Sequence, residues 1–193
     1  MPNFDHISDA KNNLDLSFKR LMVALDLSGA DQTLLDYTYW LSAKMKSNNM
    51  YAIHVEKDFS EAQSIFSNIP YFKKTKLVDE ETKQQLLKNV YETFNDRNEI
   101  RVKATVVEGK PLPQLLHWAK IKGVDLIVVG KKHINNGSGI TARQLARKSD
   151  VSVLIVPESA VPIVNTIVVP IDFSENSAIA LHNAIRLANT MKD

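Results

Sequence analysis

The chain has 193 residues, 44% of them apolar and 24% charged, with a formal net charge of +2. That balance suits one full globular domain plus a remainder; it offers no basic stripe for a nucleic-acid backbone and no apolar run of the roughly 20 residues a membrane span needs. Cysteine is absent, which removes disulfides, thiolate catalysis and Cys-based metal sites and fits a reducing cytoplasm.

Residues 1–19 lack the basic-then-apolar layout of a signal peptide and read as a polar N-terminal arm. The first predicted strand is "LMVALD" (21–26), apolar at every position before the Asp. Continuous runs of this kind are expected where helices cover both faces of a parallel sheet. Ser28 with Asp31 predicts an N-cap and an acidic first turn, followed by a helix burying Leu34, Thr38, Leu41 and Met45. "MYAIHVE" (50–56) is a second strand, and 57–76 is a long irregular connection carrying Phe59, Phe66, Tyr71 and Phe72. A helix over 79–95 is expected to bury Leu86, Leu87, Val90, Tyr91 and Phe94.

"IRVKATVVEG" (100–109) alternates before turning apolar, as a strand near a sheet edge does. Pro111 starts a helix with Leu112, Leu115, Leu116 and Ala119 inward, and Gly123 ends it. "VDLIVVG" (124–130) and "VSVLIVP" (151–157) are the fourth and fifth strands, separated by a glycine-bearing loop and a helix through Lys148. Alternating strands and helices predict an α/β, doubly wound five-stranded parallel sheet with right-handed crossovers. Ligands in such sheets sit beyond the carboxyl ends of the strands where strand order reverses. The pattern places 26–29, 54–56 and the residues from Gly130 onward there.

A shift of 146 positions overlays Asp172 on Asp26, Ser174 on Ser28, Leu181 on Leu35 and Leu187 on Leu41 without a gap. One fixed offset through strand, turn and helix reads as a duplicated unit. Residues 158–165 are then a linker, and 166–193 the first βα unit of a second, incomplete copy. Its helix is expected to follow a strand that ends at Asp172.

The loop after the fourth strand carries Gly130, Lys131, Lys132, Gly137, Ser138, Gly139 and Thr141. Glycines ahead of a helix N-terminus let backbone N–H groups approach a phosphate, with Lys and hydroxyl groups adding charge and hydrogen bonds. A plain Asn/Gly-rich surface turn is the equal alternative. Asp26 has two readings as well, organiser of the turn through its own backbone or ligand contact. His54 reads as a satisfied edge histidine or as part of the same site. His6, His117, His133 and His182 show no metal-like spacing with carboxylates, and no catalytic pair emerges.

From Arg20 to Pro157 the chain resembles a universal stress protein (UspA-like) domain, through "VALDLS", "LIVVG" and "LARKSDVSVLIVP". "TIVVPIDFSENSAIALHNAIRLA" resembles the opening of a second such domain, as in tandem members. The resemblance implies strand order 3-2-1-4-5, an adenine-nucleotide-hydrolase-like fold, and a stress-response module for a small ligand such as ATP or AMP, with Mg alongside a triphosphate. It carries over Asp26, Leu27 and Ser28 from the first turn, His54 and Val55 from the second strand, and Gly130 from the loop. The family's loop, G-x2-G-x9-G-[ST], is matched only in part: His133 stands at its second glycine, and its closing pair falls early, at Gly137-Ser138 or Gly139-Ile140. Two other readings follow, a scaffold that binds no nucleotide and pairs as a homodimer through 151–156, and an ATP-cleaving enzyme.

Overall fold

The computed structural model describes residues 18–56, 75–94, 100–131 and 139–191. The chain divides into a larger unit, Phe18–Pro162, and a smaller one that includes Ile163–Asp193. In the larger unit the elements are β1 (Arg20–Leu25), α1 (Asp31–Lys44), β2 (Asn49–Glu56), α2 (Thr75–Phe94), β3 (Arg101–Glu108), α3 (Pro111–Lys122), β4 (Leu126–Lys131), α4 (Gly139–Lys148) and β5 (Ser152–Pro157). The five strands form one sheet in the order β3-β2-β1-β4-β5, and every pairing is parallel. The expected doubly wound α/β architecture is therefore what the chain adopts.

Strand β1 lies at the centre, with Val23 opposite both Ala52 of β2 and Val128 of β4. Its Leu21, Met22 and Val23 are fully buried. Successive strand side chains point to opposite faces, so consecutive buried residues require cover on both sides. Helices α1 and α2 pack together, α1 against β1 and β4 and α2 against β3; α3 and α4 pack together, α3 against β1 and β2 and α4 against β4 and β5. On the α3/α4 side Met22, Ile53, Ile127, Leu115 and Leu145 form the hydrophobic core. Strand β3 is outermost, which explains why its early residues alternate.

Three expectations are corrected. Ser28 does not cap α1: the helix starts at Asp31, Ala30 is the N-cap residue, and no side chain bonds to that cap. An extra turn intervenes because Leu27 takes a positive φ of 59°, leaving the Ser28 carbonyl to accept the Asp31 N–H at 3.0 Å. Tyr91 is 46% exposed, whereas Leu86, Val90 and Phe94 are buried at four-residue spacing; Tyr91 lies one position, about 100° of rotation, off that stripe. In the smaller unit α5 (Glu175–Met191) forms, but 166–172 makes no strand. A strand needs a neighbour for its N–H and C=O groups; here Val168 is 86% exposed, and Pro170 has no N–H to offer. The aromatic connection over 57–74 lies outside the described residues.

Gly123 ends α3 in the left-handed conformation, φ 57° and ψ 49°, with backbone N–H groups of the cap returning to Ala119 and Lys120 carbonyls. A Cβ there would come within 2.9 Å of Arg20 Nη1, the group that donates to the Lys122 carbonyl at 3.1 Å. We expect Gly123→Ala to cost about 1–2 kcal/mol from the left-handed penalty. Urea unfolding should show a lower midpoint with an unchanged slope; an unchanged midpoint would refute this account of the cap.

Candidate functional site

The C-terminal ends of β1 and β4 meet where strand order reverses, and a cavity of about 200 Å³ opens there. Its apolar floor includes Ala24, Leu25, Ile53, Val55 and Val129 from the strands, with Leu34 of α1, Leu115 of α3 and Val156 of β5 around it. Asp26, Asp31, Lys131, Thr141 and Glu158 supply its polar groups. An apolar floor under a few convergent polar groups suits a flat organic ring bearing polar substituents.

The turn that delivers Asp26 is built from its own backbone. The Asp26 carboxylate accepts the Ser28 N–H at 3.2 Å. The Asp31 carboxylate reaches back and accepts the N–H groups of Asp26, at 3.3 Å, and Leu27, at 2.7 Å. Asp26 thus organises the turn, as one of its two readings expected, and it also lines the cavity. Ser28 Oγ, by contrast, is buried with no hydrogen-bond partner among the described residues, and neither Ser28 nor Leu27 lines the cavity.

His54 pairs with Leu25 across the β1–β2 ladder, and its Nδ1 lies 2.9 Å from the Leu25 carbonyl. A carbonyl only accepts, so Nδ1 carries the proton and the ring is satisfied; β2 is an interior strand, so His54 is not at a sheet edge, and it stays outside the cavity lining. Val55, Gly130, Lys131 and Thr141 do line it. A Cβ at Gly130 would meet Leu34 Cδ2 at an ordinary 3.7 Å, so packing alone does not demand glycine there. Gly139 is the first residue of α4. Lys132, Gly137 and Ser138 lie outside the described residues. Among the described residues no group of three His, Asp or Glu side chains is placed to hold a metal.

Asp31 and Glu158 are the charged cavity residues that pattern reading missed, one having been assigned only to a helix's first turn and the other to a linker. The 146-residue offset aligns Asp31 with Ser177. The second turn, within its own unit, repeats the first closely. Phe173 has φ 63°, as Leu27 has 59°, and the Asp172 carboxylate accepts the Ser174 N–H at 3.0 Å. There Ser174 does cap its helix, accepting the Ser177 N–H at 3.2 Å through Oγ. Hydrogen bonds from the Ser174 hydroxyl, the Ser174 N–H and the Ser177 hydroxyl hold the Asp172 carboxyl down at about 2.

Asp31 goes the other way. It is only 4% exposed, and burial first, then the adjacent Asp26 carboxylate, pushes its pKa up from 3.8 to about 6, against the lowering effect of the two N–H bonds.

The universal stress protein family model matches residues 17–157 of this chain. Universal stress protein YxiE of Bacillus subtilis is 30% identical over 149 residues, covering 72% of this chain and 99% of that protein. Two solved structures share the fold: a universal stress protein in complex with cAMP, with 18% identity, TM-score 0.53 and coverage of 74% and 99% of the two chains, and the universal stress protein from Archaeoglobus fulgidus in complex with dAMP, with 16% identity, TM-score 0.52 and coverage of 73% and 99%.

Between pH about 4 and about 6 the folded chain keeps on Asp31 a proton that the unfolded chain has released. The stabilisation from this group is therefore full at the acid end of that window and is lost as pH rises through about 6. Asp31→Ser, which installs the residue found at 177, should gain thermal midpoint over the wild type more at pH 7 than at pH 5. A difference that stays constant across this range would contradict the assignment.

Proposed function

The chain belongs to the universal stress protein family, and from that premise we propose that it is a regulatory binding module of the cytoplasmic stress response whose cavity takes an adenine nucleotide of the AMP type. The observation that carries this reading is the cavity at the switch point, with its apolar floor and its carboxylate turn. Fold relatives solved with cAMP and dAMP support the ligand class. The apolar strand ends suit one face of a purine. Asp26 can accept from a ribose hydroxyl or an exocyclic amino group, and Lys131 supplies a cation for phosphate. A triphosphate ligand, if taken instead, would bring Mg with it.

The chemistry asked of such a site is selective binding rather than turnover. A ligand acts as a signal only through different affinities for two states of the protein. Calorimetric titration with AMP, ADP and ATP, the last with and without Mg, should give heat for AMP at up to millimolar concentration. Asp26→Ala should weaken AMP about tenfold or more through loss of a charge-assisted hydrogen bond. Silence with all three nucleotides would overturn the nucleotide reading, and ATP turnover abolished by Asp26→Ala would favour the ATP-cleaving alternative.

A second reading concerns self-association and rests on β5. It ends the sheet and pairs only with β4 among the described residues, and Val153, Leu154 and Ile155 stay half-buried. An edge of this kind is a template for strand addition, and we propose a homodimer through 151–156. Light scattering at tens of micromolar should give a dimer, and Leu154→Lys a monomer; a wild-type monomer would refute it.

A further inference from the structure

The two helix layers on the sheet differ in charge. On the side of α1 and α2 the signs are mixed, with Lys83 3.8 Å from Glu80 and Lys88 4.0 Å from Glu92. On the other side neither α3 (PLPQLLHWAKIK) nor α4 (GITARQLARK) contains an acidic residue. Together they carry Lys120, Lys122, Arg143, Arg147 and Lys148, and Lys110 stands at the N-cap of α3. The acids nearest in sequence, Glu108, Asp125 and Asp150, lie off both helices. Because β4 and its following loop separate the two helices, no single stretch of the chain displays this concentration of cations.

Burial fixes which way these groups face. Leu115 and Ala119 of α3 and Ala142 and Leu145 of α4 are buried in the core beneath them. The outer stripes, at three- and four-residue spacing, hold His117, Lys120 and Ile121 on α3 and Ile140, Arg143 and Arg147 on α4. All six are exposed, and because α3 and α4 pack together the two stripes make one surface. Within it Ile121 is 57% and Ile140 54% exposed, each set among cations.

We propose that the outer face of α3 and α4 docks on an anionic lipid bilayer, with the protein lying peripherally on the headgroups. Charge complementarity favours this occupant. An anionic leaflet is a surface of one sign and matches a helix pair of one sign, whereas protein surfaces intersperse both. The isoleucines favour it too. An apolar side chain flanked by cations enters the boundary of the acyl chains while the cations stay among the headgroups. Against a nucleic-acid backbone the same side chain has only phosphate and sugar to meet. No helix among the described residues is long and apolar enough to cross a membrane, so the contact is one of surfaces. From these helices the cavity takes only Pro111, Leu115 and Thr141, none of them in the outer stripes, so lipid docking stands apart from the nucleotide reading.

Flotation of the full chain with vesicles tests this. Phosphatidylcholine vesicles with about 30% phosphatidylserine should carry the protein at low salt, and phosphatidylcholine alone should not. Raising NaCl from about 0.05 M to about 0.5 M should release it, because screening shortens the attraction. Lys120→Glu together with Arg147→Glu should weaken binding about tenfold or more. Ile121→Ser together with Ile140→Ser should weaken it about fivefold through lost apolar burial. All four positions are exposed, an unchanged far-UV circular dichroism spectrum checks the folding of each variant, and salt release needs no variant. No flotation at low salt, equal binding to neutral and anionic vesicles, or binding that survives the charge reversal overturns the proposal. Tighter binding to a polyglutamate peptide or a DNA duplex than to the vesicles, unaffected by the isoleucine substitutions, assigns the face to an acidic macromolecule and overturns it as well.

Discussion

Burial of β1 from both faces and on both edges is the constraint from which the larger unit is organised. Leu21, Met22 and Val23 have no exposed surface, and their backbone groups are committed to β2 on one side and β4 on the other. A parallel neighbour on each edge forces crossover connections, and helices on both faces follow because no face of β1 can be left to water. The strand order then reverses beside β1, so the end of this strand is where a cleft must open. Asp26 stands there because β1 stops there.

Much of this was legible in the chain itself, for a definable reason. Unbroken apolar runs such as "LMVAL" and "LIVVG" encode two-sided burial, and the weaker alternation of β3 encodes an edge. Pro111 and Gly123 bracket α3 by backbone stereochemistry alone, one with its fixed φ and the other with φ 57°. The cavity's place beyond the ends of β1 and β4 was also readable, since it follows from topology more than from individual side chains.

What escaped the pattern depends on contacts that no local period records. Ser28 has the right type and place for a cap, yet the left-handed Leu27 rotates the chain so that Asp31 begins the helix. Tyr91 differs from its buried neighbours by one step of rotation, finer than a four-residue stripe predicts. The run 166–172 has the composition of a strand, but a ladder is a property of two segments and cannot be read from one. Asp31 was hidden for a related reason: its long reach back to the N–H groups of Asp26 and Leu27 is tertiary in character though short in sequence.

Two bulky side chains, Leu27 and Phe173, occupy a backbone region where residues with a Cβ are disfavoured by about 1 kcal/mol or more. Both sit between an Asp and a Ser, and in both turns the Asp carboxylate locks the next N–H but one. The turn is accordingly a place where local conformational energy is held in a strained form by hydrogen bonds to a carboxylate. Glycine would relax that torsion, while the carboxylate's bond to the N–H two residues on is what closes the turn. The bond to the carboxylate, rather than the identity of the middle residue, is what the two turns have in common.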